Sequence, residues 1–146
     1  MEIIHSLTID ASPARVLNAL TSQAGLAGWW TTDTTAEPHV GGINRHRFGD
    51  LGSLTMRVDA LSADRVVWSA IEAPPEEWKS APIAFSLTPD DDGGTNLEFR
   101  QGPFPENYPA FGMFNYNWAL YMRSLKLYVE RGIGEPFGSE ALANAR

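Results

Sequence analysis

The stretch that most limits the fold is the apolar run from Tyr108 to Gly132, YPAFGMFNYNWALYMRSLKLYVERG. Phe111, Phe114, Trp118, Met122, Leu125 and Val129 recur at intervals of three and four, which sets them along one helical face. Tyr121 and Tyr128 widen that face, while Arg123, Lys126 and Glu130 mark the solvated side. Pro109 suits a helix start, where its missing N–H costs nothing, and Gly132 supplies a C-terminal stop. A helix of about 20 residues runs roughly 30 Å, the width of a small domain. It carries more aromatic surface than one stripe of a bundle needs. Something broad has to lie against it.

The rest of the chain supplies strands. Residues 3–9 alternate, with Ile3, His5, Leu7 and Ile9 on one face. Asp10-Ala11-Ser12-Pro13 then turns into a short helix, with Ser12 as N-cap, Pro13 as first helical residue and Val16, Leu17, Ala19 and Leu20 as its apolar face. Gln23 to Trp30 predicts a second, weaker helix, loosened by Gly25 and Gly28, that delivers the adjacent pair Trp29 and Trp30. Two neighbouring indoles are not expected to enter the same core, so one should line a cavity or the surface. From residue 33 the period falls to two. Strands are predicted near 33–38, 42–49, 53–61, 65–73, 80–88 and 95–101, joined by turns such as Asp50-Leu51-Gly52, Ser62-Ala63-Asp64 and Asp90–Gly94. Their inward sets begin with Asn44, His46 and Phe48, followed by Leu54, Met56 and Val58. Val66, Trp68 and Ala70 come next, then Ile83, Phe85 and Leu87, then Leu97, Phe99 and Gln101. This is an antiparallel meander with one buried and one polar face. The loop at 73–78 interrupts it, with Trp78 as a candidate lid. A sheet of so many strands curls, and the aromatic helix is what it can grip. If the two splay at one end, a deep pocket results.

Several segments also resemble a known superfamily. Ile9-Asp10-Ala11-Ser12-Pro13-Ala14-Arg15-Val16, Ala19-Leu20-Thr21 and Trp29-Trp30 are similar to the opening of the START-like (SRPBCC, helix-grip) superfamily. Gly41-Gly42, Gly94-Thr95-Asn96-Leu97-Glu98-Phe99 and Trp118 with Leu125 continue the pattern, so that it covers residues 3 to 132. The subgroup it most resembles is the one related to the activator of heat-shock-protein-90 ATPase. The resemblance implies an α+β helix-grip fold: a curved antiparallel sheet around a long C-terminal helix, with two short helices after the first strand. The expected domain is 1–134, with 135–146 as a C-terminal tail in which Ser139 to Arg146 forms a short loose helix or tail. Many relatives carry histidine where this chain has Gln101, and a bulky apolar residue where it has Asn44 or His46. Three polar positions are therefore expected on the concave face.

Composition removes several classes of function. With 146 residues and a net charge of −7, the chain has the size of one domain and no basic stripe, which argues against nucleic acid and anionic membrane surfaces. No apolar window reaches the about 18 residues of a membrane span. The N-terminus lacks a basic region before an apolar one, and there are no cysteines; both fit a cytoplasmic protein without disulfides. His5, His39 and His46 lack metal-ligand spacing, and Asp90-Asp91-Asp92 before Gly93-Gly94 reads as a hairpin turn, so no metal or cofactor is expected. No G-x-S-x-G motif, phosphate loop or inward pair of carboxylates appears, since Asp59, Glu72 and Glu98 point outward. No catalytic residue is assigned.

The leading expectation is a binding domain for an apolar or aromatic small molecule, lipid-like or polyketide-like, held between helix and sheet. Its candidate contacts are Trp29, Trp30, Phe48, Met56, Trp68 and Phe85, with Phe99, Phe114 and Trp118 opposite. Asn44, His46 and Gln101 would orient the ligand's polar end. A one-residue slip of the strand would instead turn His46 to water beside Arg45 and Arg47, and Gln101 could equally cap the following loop. One alternative, implied by the resemblance, is a chaperone-interacting protein. Another is a small cyclase or hydrolase using His46. Exposed sheet edges and surface tryptophans would suit a homodimer.

Overall fold

The computed structural model describes residues 1–145. Seven strands form one antiparallel sheet: β1 (Ile3–Ile9), β2 (Asp33–Thr35), β3 (Ile43–Arg47), β4 (Ser53–Ser62), β5 (Arg65–Glu72), β6 (Ile83–Pro89) and β7 (Thr95–Gln101). Their order across the sheet is β1-β7-β6-β5-β4-β3-β2. The first strand pairs with the last, so β1 and β2 lie at opposite edges. Helices α1 (Pro13–Thr21) and α2 (Gln23–Trp29) carry the chain from one edge to the other, and α3 (Phe111–Arg131) packs with them. The architecture is the expected helix-grip.

Alternation sets the register. Asn44, His46, Leu54, Met56, Val58, Val66, Trp68, Phe85, Phe99 and Gln101 all face the interior. Asn44 lies opposite Met56 and His46 opposite Leu54, so no slip turns His46 to water. The pairing of β4 with β5 shifts at Thr55/Met56 and again at Val58/Ala60, the kind of irregularity that bends a strand and curls a sheet. The outer face is polar, with Arg57 bound to Asp59 at 2.7 Å and Arg100 to Glu98 at 2.7 Å. Asp90 closes the β6–β7 hairpin by accepting the Asp92 and Gly94 N–H groups at 2.8 and 2.7 Å.

Local chemistry explains the helix limits. Ser12 Oγ accepts the Arg15 N–H at 3.3 Å, capping α1, and Ser22 Oγ accepts the Gly25 N–H at 3.0 Å, capping α2. Pro109 lies in the turn before α3 rather than in its first turn; Ala110 is the N-cap. Gly132, at φ 84°, ends the helix as expected.

Trp29 and Trp30 are both buried, because α2 ends at Trp29 and the chain turns at Trp30, stacking the two rings 5.8 Å apart at 10°. Trp30 alone also borders a cavity, as expected for one of the pair. Two expectations are corrected. No tryptophan is at the surface; the most exposed, Trp78, shows only 6%. The described residues after Gly134 do include the short helix expected there, but they are tied down rather than loose. Phe137 N–H donates to the Trp30 carbonyl at 2.7 Å, its ring meets Phe48 at 5.4 Å, and Leu142 of α4 (Glu140–Ala145) is buried. Residue 146 lies outside the described residues.

Candidate functional site: a cavity at one end of the long helix

The C-terminal half of α3 is held tightly. A Cβ on Gly28 would stand 2.3 Å from Tyr128 Cε1, so glycine is what lets α2 approach α3 this closely. Ser124 Oγ donates to the Trp29 carbonyl and accepts the Glu135 N–H, both at 2.7 Å. Arg15 Nη2 donates to the Val129 carbonyl at 2.6 Å, and the Asp10 N–H donates to Glu130 Oε2 at 2.7 Å. Met122, Leu125 and Val129 are buried beneath this lattice.

Toward the helix N-terminus the arrangement loosens. Trp118 is the last firm inward tie: its indole N–H donates to Gln101 Oε1 at 2.8 Å, and its ring lies 4.4 Å from Phe99. Beyond it a cavity of about 420 Å³ opens. Its floor is Trp30, Phe48, Leu54 and Trp118, and Met113, Phe114, Asn117 and Tyr121 of α3 form one wall. The other walls come from the turn Leu51–Ser53, from Pro74, Pro75 and Trp78, and from Phe137. No carboxylate, ammonium, guanidinium or imidazole lines it. The volume falls within the usual range for small-molecule pockets.

Of the twelve residues singled out from sequence, Trp30, Phe48, Phe114 and Trp118 line this cavity. The other eight lie in closed packing behind its wall. Trp29, Met56, Trp68, Phe85 and Phe99 belong to the dry core, with Trp68 stacked on Trp30 at 5.7 Å and Phe85 edge-on to Trp68 at 5.0 Å. The three polar residues bond to the protein itself, His46 through Nδ1 alone. Asn44 Oδ1 accepts the Glu37 N–H at 3.1 Å, and Gln101 joins Trp118 to the Ala81 carbonyl.

His46 is wholly buried, its ring 4.2 Å from that of Trp30. Thr34 Oγ1 gives its proton to the Thr31 carbonyl at 2.8 Å and sits 3.2 Å from His46 Nδ1. Nδ1 must therefore carry the imidazole proton and donate it, which leaves Nε2 a bare acceptor. Nε2 has no partner among the described residues. Burial pushes the pKa down to about 3, so the ring is neutral near pH 7.

Sequence reasoning did not assign Leu51, Leu54, Met113, Asn117, Tyr121 or Phe137 to a site. Met113, Asn117 and Tyr121 form a second stripe at intervals of four beside the main apolar stripe, and that spacing is the signal that could have found them. Trp78, expected as a lid, lies against Phe114 at 5.3 Å and Trp118 at 6.1 Å. Its indole N–H is buried without a partner among the described residues.

Residues 10–130 match the family described as "Activator of Hsp90 ATPase homolog 1-like protein". The chain belongs to this family. No curated protein matches it. Among solved structures, the Aha1 dimer from Colwellia psychrerythraea is 31% identical, with a TM-score of 0.84 over 92% of this chain and 99% of that one. Protein MLL2253 from Mesorhizobium loti shares 20% identity and a TM-score of 0.78, covering 90% of this chain and 98% of its own. DynU16, from the dynemicin biosynthetic locus, shares 22% with a TM-score of 0.74, over 91% of this chain and 48% of that one. The last two likenesses establish fold alone. Among the described residues, no helix of this family member is long and apolar enough to cross a membrane.

Proposed function

We propose that this protein binds an apolar, ring-bearing small molecule in the cavity at the N-terminal end of α3. The observation that carries this reading is the cavity itself: about 420 Å³, walled by aromatic and aliphatic side chains and free of charged ones. Trp30, Phe114 and Trp118 supply flat contact area, and the Asn117 amide supplies a polar anchor. The unpartnered Trp78 N–H is a donor for which the protein provides no acceptor, and leaving it so costs about 1–3 kcal/mol. A ligand carbonyl or ether reached by a small rotation of the indole would recover that cost. A like fold in a natural-product biosynthetic locus accords with a small-molecule ligand. Catalysis is less well supported, because the walls hold no acid–base pair and His46 lies behind Trp30 with its one proton given to Thr34.

Three tryptophans line the cavity, so intrinsic fluorescence reports occupancy directly. Titration with anthracene-methanol should give saturable one-to-one quenching. Asn117→Trp, on a partly exposed helix position, fills the cavity and should weaken binding about tenfold or more. Quenching that never saturates, or that ignores the substitution, would remove the reading.

A second copy of the chain is the macromolecular partner with specific support. The Colwellia psychrerythraea relative is described as a dimer, and Val40, Leu51, Met113 and Ile133 leave apolar surface exposed here. Light scattering should give the mass of two chains; a single-chain mass at every concentration would refute it. The chaperone reading draws on the family description alone.

A further inference from the structure

The cavity walls hold no charge, but exposed carboxylates stand next in sequence to the residues that line it. Asp50 sits in the short 3-10 turn Gly49–Leu51, whose last residue lines the cavity. Glu76 and Glu77 sit between Pro75 and Trp78, which both line it. All three carboxylates are exposed. Glu77 is positioned by the Tyr108 hydroxyl, which donates to it at 3.3 Å while the Tyr108 ring stacks on Phe114 at 6.2 Å.

Three cations close in sequence to lining residues are already engaged. Lys79 pairs with Glu76 at 3.2 Å, Arg47 with Asp33 at 3.2 Å, and Arg123 with Glu135. Asp50 and Glu77 have no cationic partner among the described residues. The N-terminal wall, Phe111 to Met122, carries no charge of either sign. A ligand approaching past these segments therefore meets uncompensated negative charge outside and indole and phenyl rings inside.

Resting on the binding reading above, we infer that the cavity selects by charge: it takes flat ring compounds bearing a protonated amine, accepts neutral ones less well, and excludes carboxylates such as free fatty acids. Both layers act in the same direction. The exposed carboxylates attract a cation and repel an anion through solvent, and a cation over an aromatic face gains energy that an anion loses. A carboxylate drawn inside would lose its hydration and meet only neutral donors such as those of Trp78 and Asn117, with no cationic group among the lining residues.

The test uses three probes with one ring system: anthracene-methylamine, anthracene-methanol and anthracene-carboxylate, each titrated by tryptophan quenching at low salt. The expected order of affinity is amine, alcohol, carboxylate, with about tenfold or more between the first and the last. Asp50→Asn with Glu77→Gln, both exposed and harmless to packing, should shrink that gap to about threefold, and salt should shrink it in the unaltered protein. Asn117→Trp should abolish amine binding, which separates the cavity from adsorption to an acidic surface. A carboxylate bound as tightly as the amine overturns the charge selection and leaves the binding reading standing. An amine that still binds the Asn117→Trp variant also overturns it. If none of the three probes binds, the binding reading itself fails.

Discussion

The two halves of α3 are built from similar apolar residues and meet different surroundings. From Met122 onward the helix lies against α1, α2 and β1, with side-chain hydrogen bonds fixing its backbone and a glycine admitting its closest neighbour. Before Trp118 its inward face borders open space. The difference lies less in hydrophobicity than in what stands opposite. The cavity-facing side of the first half looks onto turns and a proline pair, although its Asn115 carbonyl meets His5 of β1; the second half faces two helices and the same strand. Contact made with regular elements closes the fold, and contact with irregular segments leaves room for a ligand.

The strongest way to break this contrast is to truncate one residue in each half. Leu125 is fully buried, and Leu125→Ala should cost about 2–5 kcal/mol of unfolding free energy by denaturant titration. Met113 is 57% exposed, and Met113→Ala should cost under about 0.5 kcal/mol while weakening probe binding. Equal costs would erase the distinction.

Next in size is the pH response of the wall behind the cavity. His46 titrates at an ordinary value when unfolded and at about 3 when folded, so in between the unfolded chain binds the extra proton. Its contribution is fully present above pH 6.5 and is lost as pH falls toward 3. Stability should drop by about 1.4 kcal/mol per pH unit once the pH is below 6, and His46→Leu should flatten that slope. The carboxylates of Asp59 and Glu130, held low by their hydrogen-bond partners, add their own loss only in more acidic solution.

The last of these effects probes the tight half directly. Gly28→Ala forces a methyl into the Tyr128 ring and should cost about 1–3 kcal/mol by thermal or chemical unfolding, with probe affinity little altered. A neutral result would mean that the two helices are not held as closely as the structure places them.

Much of this fold is legible in the sequence because its signals are long and repeated. Period-two alternation in five successive strands fixes which side chains face inward, and a stripe of threes and fours fixes α3. Asn44, His46 and Gln101 read as inward-facing for that reason. What they do there is not legible. Alternation names a face, whereas Thr34 reaches His46 from the neighbouring strand β2, and the Glu37 N–H and the Trp118 indole reach the others from a loop and a distant helix. The cavity was hidden for the same reason. Leu51, Pro74, Pro75 and Phe137 come from irregular segments with no period to betray their direction. The sequence pointed to a pocket between helix and sheet, and only coordinates show at which end it opens.

Methionine methyl groups give the most direct test of where a ligand goes. Met113 lines the cavity, while Met56 and Met122 are buried in the closed core. In a protein labelled at methionine methyls, saturating anthracene-methanol should shift the Met113 resonance and show contacts from its protons to the probe. Met56 and Met122 should stay in place. Contacts from the probe to Met56 or Met122, with Met113 unmoved, would contradict the account and put the binding space in the grip's tight half.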